Sequence, residues 1–554
     1  MVRSLSGKQL FSLLLILLFA PAILNAQIKD GSIVFTWGDS YELPKKHSDL
    51  GFIGNEIEGY VQIGHAPHRS LSFQKFSNAL KLTSENTVDL KDMPDDYQNV
   101  AFTKIKDRYY WIFCTWERAD ERERLFAQEI DVKNTKLIGK AKQLCATSKL
   151  TGTAMGTALW GISIGITDKW NLYYSLDSNK LLVQYRKRPE QRQDSKNKDI
   201  IGFQVFDEEL NKIWGKEIRM PYTEARMDNE DYDIDKDGNV YTLAKVYATE
   251  KGDKKKPNYH MEILKWTKDN NEVTKIPFKF TDQFVTAARM TKGFDGSLLV
   301  VGFYSKKKPG VAYSGFNRVG VHSSADGVFL LQLDEQSGEL SNVKKGIYEF
   351  PQQVLSEFES ARTKRRNEKK DDDDNLEAQN MVLRNIVVNS DGSIQVYGEE
   401  AYKIITTTYN GRSRNTTVDY YYNDILGMNI GADGELKWVT KVPKLQHGIN
   451  SGLAGMSFKL FPHNNNQYIF FMDNMKNIDL PVDEAPKQHV DGRGGVLMVV
   501  KIDENGKKSK AKIFDVREED KNLIVSNFST VGIDKIVARA FHRRDSQPVF
   551  ITFK

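Results

Sequence analysis

The sequence predicts an all-β protein in which a four-stranded antiparallel unit recurs about eight times. Three observations carry that prediction. Short β-branched and aromatic runs recur along nearly the whole chain, the clearest being YYWIFC at 109–114, NVYTLAKVY at 239–247, SLLVVGFY at 297–304, SIQVYG at 393–398 and QYIFFM at 467–472. Each is followed, after a polar connection, by a second apolar run of strand length. Asp–Gly pairs at 237–238, 295–296 and 391–392 stand just before three of the first runs and supply the positive φ of a tight hairpin turn. Few stretches repeat with helical period, so the chain has little but strands to build with.

With the strands of each unit lettered a to d, strand b falls at 59–64, 109–115, 180–185, 239–247, 297–304, 393–398, 467–472 and 535–541. Strand c follows at 70–76, 124–130, 202–206, 261–266, 327–333, 424–430, 495–502 and 548–553. The turn sequences EELN at 208–211, ADGE at 432–435 and DENG at 503–506 place short c–d turns, with strand d following as in 212–220 and 436–442. No strand d follows the eighth copy, whereas SIVFTW at 32–37 precedes the first as a spare strand. The N-terminal strand is therefore expected to complete the last unit, leaving no open sheet edge between the two.

A repeat of this length and type resembles that of secreted β-propeller repeat proteins. The resemblance is of architecture, covers nearly the whole chain, and matches no characterised family; the WD and GH signatures of WD40 proteins are absent. It implies four-stranded blades around an axis, eight by this count, with seven the alternative if one copy is misread.

The first 26 residues read as a secretory signal peptide: Arg3 and Lys8 precede an apolar stretch from Leu10 to Leu24, and Ala26 offers a small residue at the cut. The protein is thus expected to be exported, periplasmic or extracellular, with residues 27–554 forming one propeller domain. No later segment is apolar enough to span a membrane. Removing the leader lowers the formal charge from +5 to about +3, which gives no footprint for nucleic acid. Cys114 and Cys145 are the only cysteines, and their different strands favour two separate thiols over a disulfide. A charged insertion at 352–380 contains four aspartates, Asp371 to Asp374; Val354, Leu355 and Phe358 could form the inner face of a short helix, and the rest reads as a solvated loop.

Function is expected on one face. The a–b and c–d turns are mostly minimal, but the b–c connections at 186–199, 248–260, 305–326, 399–423 and 473–494 are long. Long loops on a rigid scaffold concentrate binding residues. They carry cations at Arg186, Lys187, Arg188, Lys254 and Lys306, and a tyrosine run at Tyr420, Tyr421 and Tyr422. Tyrosines beside cations suit a protein, peptide or glycan ligand, although a lysine run alone is commonly just a solvated loop. His65, His260, His322, His489 and His542 fall in or beside b–c connections, as does His68, while His47 and His447 fall in d–a connections; only His463 maps to the other face. Six of these, His65, His260, His322, His447, His489 and His542, are weak catalytic candidates with no ligand spacing between them. Asp233, Asp235 and Asp237 match the opening of an EF-hand calcium loop, but the twelfth position is Ala244 rather than Glu and no helices flank it. TGTAMGT at 151–157 lacks the Gly-Lys-Ser/Thr of a phosphate loop, and no G-x-S-x-G elbow occurs. The expectation is therefore a monomeric, non-enzymatic binding protein with no cofactor, calcium being the one ion considered. The alternative is a polysaccharide lyase or hydrolase with histidines and carboxylates at the channel mouth.

Overall fold

The structure is a computed structural model that describes residues 32–554 except 44–46, 67–68, 92, 94–95, 153–156, 160–161, 165–168, 192, 249–256, 271, 315–316, 323, 335–339, 360–375, 411–412, 451–454, 483 and 491–493. Side chains of 157–159, 162–164, 310–322, 342–345, 407, 409–410 and 413–414 are likewise outside the description. The expected leader, His68, Lys254, the four aspartates and the side chain of His322 therefore lie outside the described residues.

Eight antiparallel sheets follow one another along the chain, each with the order a-b-c-d. In blade 5, for example, strand a is Phe284–Lys292, strand b Leu298–Ser305, strand c Gly327–Leu333 and strand d Leu340–Glu349. Strands a of neighbouring blades lie side by side around the axis. All eight predicted b and c runs are observed in those positions. The c strands Ser70–Phe76 and Gly327–Leu333 match residue for residue.

The reason is visible in blade 5. Leu298, Val300 and Tyr304 pack into a cluster with blade 4, whereas Leu299, Val301 and Phe303 pack into a cluster with blade 6. Successive strand residues point to opposite faces, and both faces are covered, so strand b must be apolar at nearly every position. Eight buried clusters result, one between each pair of consecutive blades. Each large apolar side chain so buried stabilises the ring by about 1.5–3 kcal/mol relative to exposure. Gly238, Gly296 and Gly392 hold φ of 82°, 83° and 81° in the a–b turns, as the Asp–Gly pairs require.

The ring closes as expected. Strand Ile33–Trp37 pairs with strand c of blade 8, Asp545–Phe553, in the register Ile33 with Phe553 to Trp37 with Val549. The Lys554 amide also donates to the Ser32 carbonyl at 3.0 Å. Cys114 and Cys145 are separate buried thiols, pairing with opposite sides of Leu125 in the strand between them. A short helix, Gln352–Leu355, opens the charged insertion and buries Leu355, with Phe358 buried just beyond.

Two connections differ from expectation, and a third carries a hairpin of its own. The expected loop at 399–423 is instead an arm, because strand b of blade 6 runs Ile394–Asn410 and strand c Ser413–Ile430. Its β-branched and aromatic run favours extended pairing even without a buried face. The loop at 305–326 contains a hairpin, Gly310–Ser314 with Asn317–His322, which lies beside the first strand of the arm. A third small hairpin, Thr157–Leu159 with Ile162–Ile164, joins blades 2 and 3.

Candidate functional site

The arm dominates the long-connection face, extending up to roughly 35 Å beyond its blade at about 3.3 Å per residue. Two further strands widen its base: Gln446–Ile449 pairs with Asp419–Tyr422, and His489–Val490 runs parallel beside Gln446 and His447. Cross-strand partners share a face, which puts Tyr402, Tyr421, His447 and Val490 in one row. Tyr402 stacks on Tyr421 at 4.7 Å between centroids and Tyr421 on His447 at 4.7 Å. His447 Nε2 lies 2.8 Å from Asp419 Oδ1 on the same face. Ile449 and Val490 remain 46 % and 49 % exposed at its edge. Tyr421 and His447, 26 positions apart in sequence, are thus brought together by pairing register.

The opposite face is anchored. Tyr422 is covered by Arg384 and Lys444, and burial pushes its hydroxyl up to about 12. Lys444 is fully buried. Its ammonium lies 2.8 Å from Glu399 Oε1 and donates to the Tyr422 carbonyl at 2.8 Å and to Gln446 Oε1 at 3.2 Å. Glu399 also accepts from Arg384 Nε at 2.8 Å and Ser457 at 2.7 Å. Next to this lock, burial and then the Asp424 charge push Glu400 up to about 7. Tyr420 projects from the same strand as its two neighbours, opposite Lys403.

A second feature of this face is a cleft of about 590 Å³ between blades 3 and 4. Arg186 enters it, donating through Nε to Asp199 Oδ1 at 2.7 Å and through Nη2 to Glu224 Oε1 at 2.7 Å. Burial, then a hydrogen bond to Glu224, pushes Asp199 up to about 6. Burial opposes ionisation of Glu224 too, but hydrogen bonds from Asp199, Asn197 and Arg186 hold it below the usual carboxylate range. The pair therefore takes up its first proton at Asp199 only as pH falls to about 6. Of the other expected cations, Lys187 pairs with Glu217 at 2.7 Å, Arg188 donates to the Leu150 carbonyl at 2.8 Å, and Lys306 pairs with Glu349 at 2.5 Å.

The histidines are mostly dispersed around the ring. His65 lies 3.4 Å from the Tyr97 hydroxyl in blade 1, and burial lowers its pKa. His260 in blade 4 meets Glu262 at 2.9 Å, and His542 in blade 8 meets Asp520 at 3.1 Å. His322 ends the blade 5 hairpin. Among the described candidates, only His447 and His489 lie on neighbouring strands, although His47, just ahead of the strand paired with His65, is close enough for their charges to interact. Asp235 is engaged within its own turn, accepting from the amides of Asp237 at 2.9 Å and Asn239 at 2.8 Å, and from the Tyr241 hydroxyl at 3.0 Å. Asp233 faces Lys292 at 3.8 Å, and Asp237 pairs with Lys236 at 3.3 Å. Among the described residues, no group of three or more His, Cys, Asp or Glu side chains is placed to hold a metal ion. Asp199, Glu224, Glu399 and Lys444 carry no motif. Only the β-branched run at 403–418 could have signalled the arm.

No family model matches the chain, and no curated protein matches it. Among solved structures it is similar to the WD40 domain of SCAP from fission yeast (7 % identity, TM-score 0.35, 96 % of this chain and 97 % of that one). It is similar also to an oligogalacturonate lyase in complex with manganese (9 % identity, TM-score 0.31, 93 % of this chain and 98 % of that one). A third is a thermostable family-43 glycoside hydrolase (11 % identity, TM-score 0.25, 59 % of this chain and 98 % of that one). At these scores the likenesses transfer no ligand, metal or activity to this chain.

Proposed function

We propose that this eight-bladed propeller is an exported, non-enzymatic binding protein whose long-connection face engages a protein, peptide or glycan. The observation that carries the reading is the arm with its half-buried Tyr402–Tyr421–His447 row beside exposed Ile449 and Val490. Tyrosine offers large contact area with few torsions to freeze, and an exposed apolar edge beside it marks an interaction site. The buried Lys444–Glu399 pair beneath ties the base of the arm to its blade through the Tyr422 carbonyl.

The alternative, a polysaccharide hydrolase or lyase, draws on the Asp199–Glu224 pair. Glycosidase carboxyls stand about 5 Å or more apart to leave room for the sugar and water. Here one guanidinium nitrogen reaches both, at 2.6 and 2.7 Å, and the two share a hydrogen bond, which favours a ligand-holding over a bond-cleaving cleft.

The test is cross-linking of wild type and of Tyr421→Ala/Ile449→Ser to its native envelope or medium, with affinity electrophoresis through a polysaccharide panel. The reading predicts a captured ligand that the variant loses. Polysaccharide turnover abolished by Glu224→Gln would replace it with the enzyme reading. Intact mass of the exported form, starting at Gln27, checks the leader.

A further inference from the structure

The short-turn face, opposite the arm, carries a feature that the loop-length argument gives no reason to expect. Four large apolar side chains there are 62–95 % exposed: Ile57, Leu176, Phe294 and Ile533. All four sit at the tips of a–b turns, in blades 1, 3, 5 and 8. Strands a line the axis, so these tips surround the channel mouth. Scattered exposed aliphatics are ordinary on a protein surface, but these four occupy equivalent positions of the repeat on one face of the ring.

The tips are held in place. The Asn55 side chain accepts the amides of Ile57 and Glu58 at 2.9 Å. The Ile533 carbonyl meets His463 Nδ1 of the neighbouring blade at 3.2 Å. Asp177 and Asp295 brace the other two turns, accepting from Ser175 and Asn179 and from Ser297.

Acidic side chains outnumber basic ones in the a–b turns between the apolar tips. Asp107, Asp177, Asp237, Asp295, Asp391 and Asp534 occupy the a–b turns. Of the lysines in those turns, Lys106 and Lys236 are paired with Glu208 and Asp237, and Lys180 lies near Asp177. Hydrogen bonds from Ser297 and Ser393 hold Asp295 and Asp391 below the usual carboxylate range, so both stay charged at neutral pH. A cleft of about 800 Å³ opens on this face beside Leu176, lined by five aspartates, among them Asp177, Asp237 and Asp295, against three lysines, Lys236, Lys265 and Lys292. That is room for several side chains of a ligand.

We infer that the short-turn face docks a cationic amphipathic segment of a protein partner, its aliphatic side chains meeting the four apolar tips and its lysines or arginines meeting the aspartates between them. An anionic bilayer is disfavoured by the same aspartates. This site is on the far side of the ring from the arm and does not depend on what the arm binds.

The test is fluorescence anisotropy of a labelled peptide of alternating lysine and leucine, with its glutamate–leucine counterpart as control. The four apolar tips are exposed, so Ile57→Ser/Leu176→Ser/Phe294→Ser/Ile533→Ser should melt like wild type. Wild type is expected to bind the cationic peptide at least about tenfold more tightly than the acidic one. The four-serine variant should lose about tenfold or more. Asp177→Asn/Asp295→Asn/Asp391→Asn should weaken binding and flatten its salt dependence, while Tyr421→Ala on the other face should change nothing. Unchanged binding by the four-serine variant overturns the inference, as does equal binding of both peptides. Co-sedimentation of wild type, but not that variant, with vesicles of phosphatidylglycerol overturns it in favour of a bilayer. Tip-dependent self-association overturns it in favour of a second copy.

Discussion

Lys444 and Glu399 show how much a single buried charge can fix. Both are fully buried; burial pulls the Lys444 pKa below the usual lysine range, and the Glu399 carboxylate works against that shift. Removing one partner of such a pair leaves the other uncompensated, a loss of about 3–5 kcal/mol. Lys444→Met should fall at the lower end of that range in urea unfolding, because Arg384 and Ser457 continue to hold Glu399. Glu400 gives a pH signature. Its pKa rises on folding from 4.5 to about 7, so the folded state binds the proton more tightly. Stability from this group is complete below its unfolded pKa and is lost as pH rises through 7, about 3 kcal/mol in all. Glu400→Gln should therefore stabilise the protein at pH 8 and change little at pH 4.5, read as the difference in melting temperature. The thiols give a third check. Burial pushes Cys114 up to about 11 and Cys145 up to about 12, so both should resist alkylation in the native protein and react once denatured.

At the scale of elements, the arm is an addition to blade 6 rather than a part of its core. The blade's own pairing ends at Glu399 with Ile425, and the strands beyond face no inter-blade cluster. Replacing residues 404–417 by a two-residue turn should leave the ring melting within a few degrees of wild type and, because Tyr402, Tyr421 and His447 stay paired at the base, leave ligand capture by that row in place. The arm also shows what the sequence makes legible. Strands b and c could be read because burial on both faces forces continuous apolar runs bounded by turn residues. The arm's Thr406–Thr408 and Thr416–Thr417 have no such constraint and resemble a polar loop. Its aromatic row was half legible: Tyr420–Tyr422 stood out as a run, but only pairing register joins Tyr421 to Tyr402 and His447. Asp199 and Glu224 stand on either side of a pair of strands, Ile200–Phe206 and Lys212–Arg219, and the four apolar tips are isolated letters in unlike turns, so neither set leaves a pattern along the chain.

For the whole molecule, stability is distributed over eight similar clusters, and the junction of blade 8 with blades 7 and 1 is the one that depends on both ends of the described chain. Phe35 is buried in that junction against Phe514. Phe35→Ala should cost about 3–5 kcal/mol. A chain lacking residues 27–37 should lose more than that and aggregate, because strand Asp545–Phe553 becomes an unpaired edge; light scattering during refolding reads this directly. Strand Ile33–Trp37 also sets an order of events. Its partner lies about five hundred residues downstream, so the first strand to be synthesised is among the last that can be seated. Until then it must remain unpaired through the making, and any export, of everything between, and a chaperone or a slow closing step has its natural point of action there.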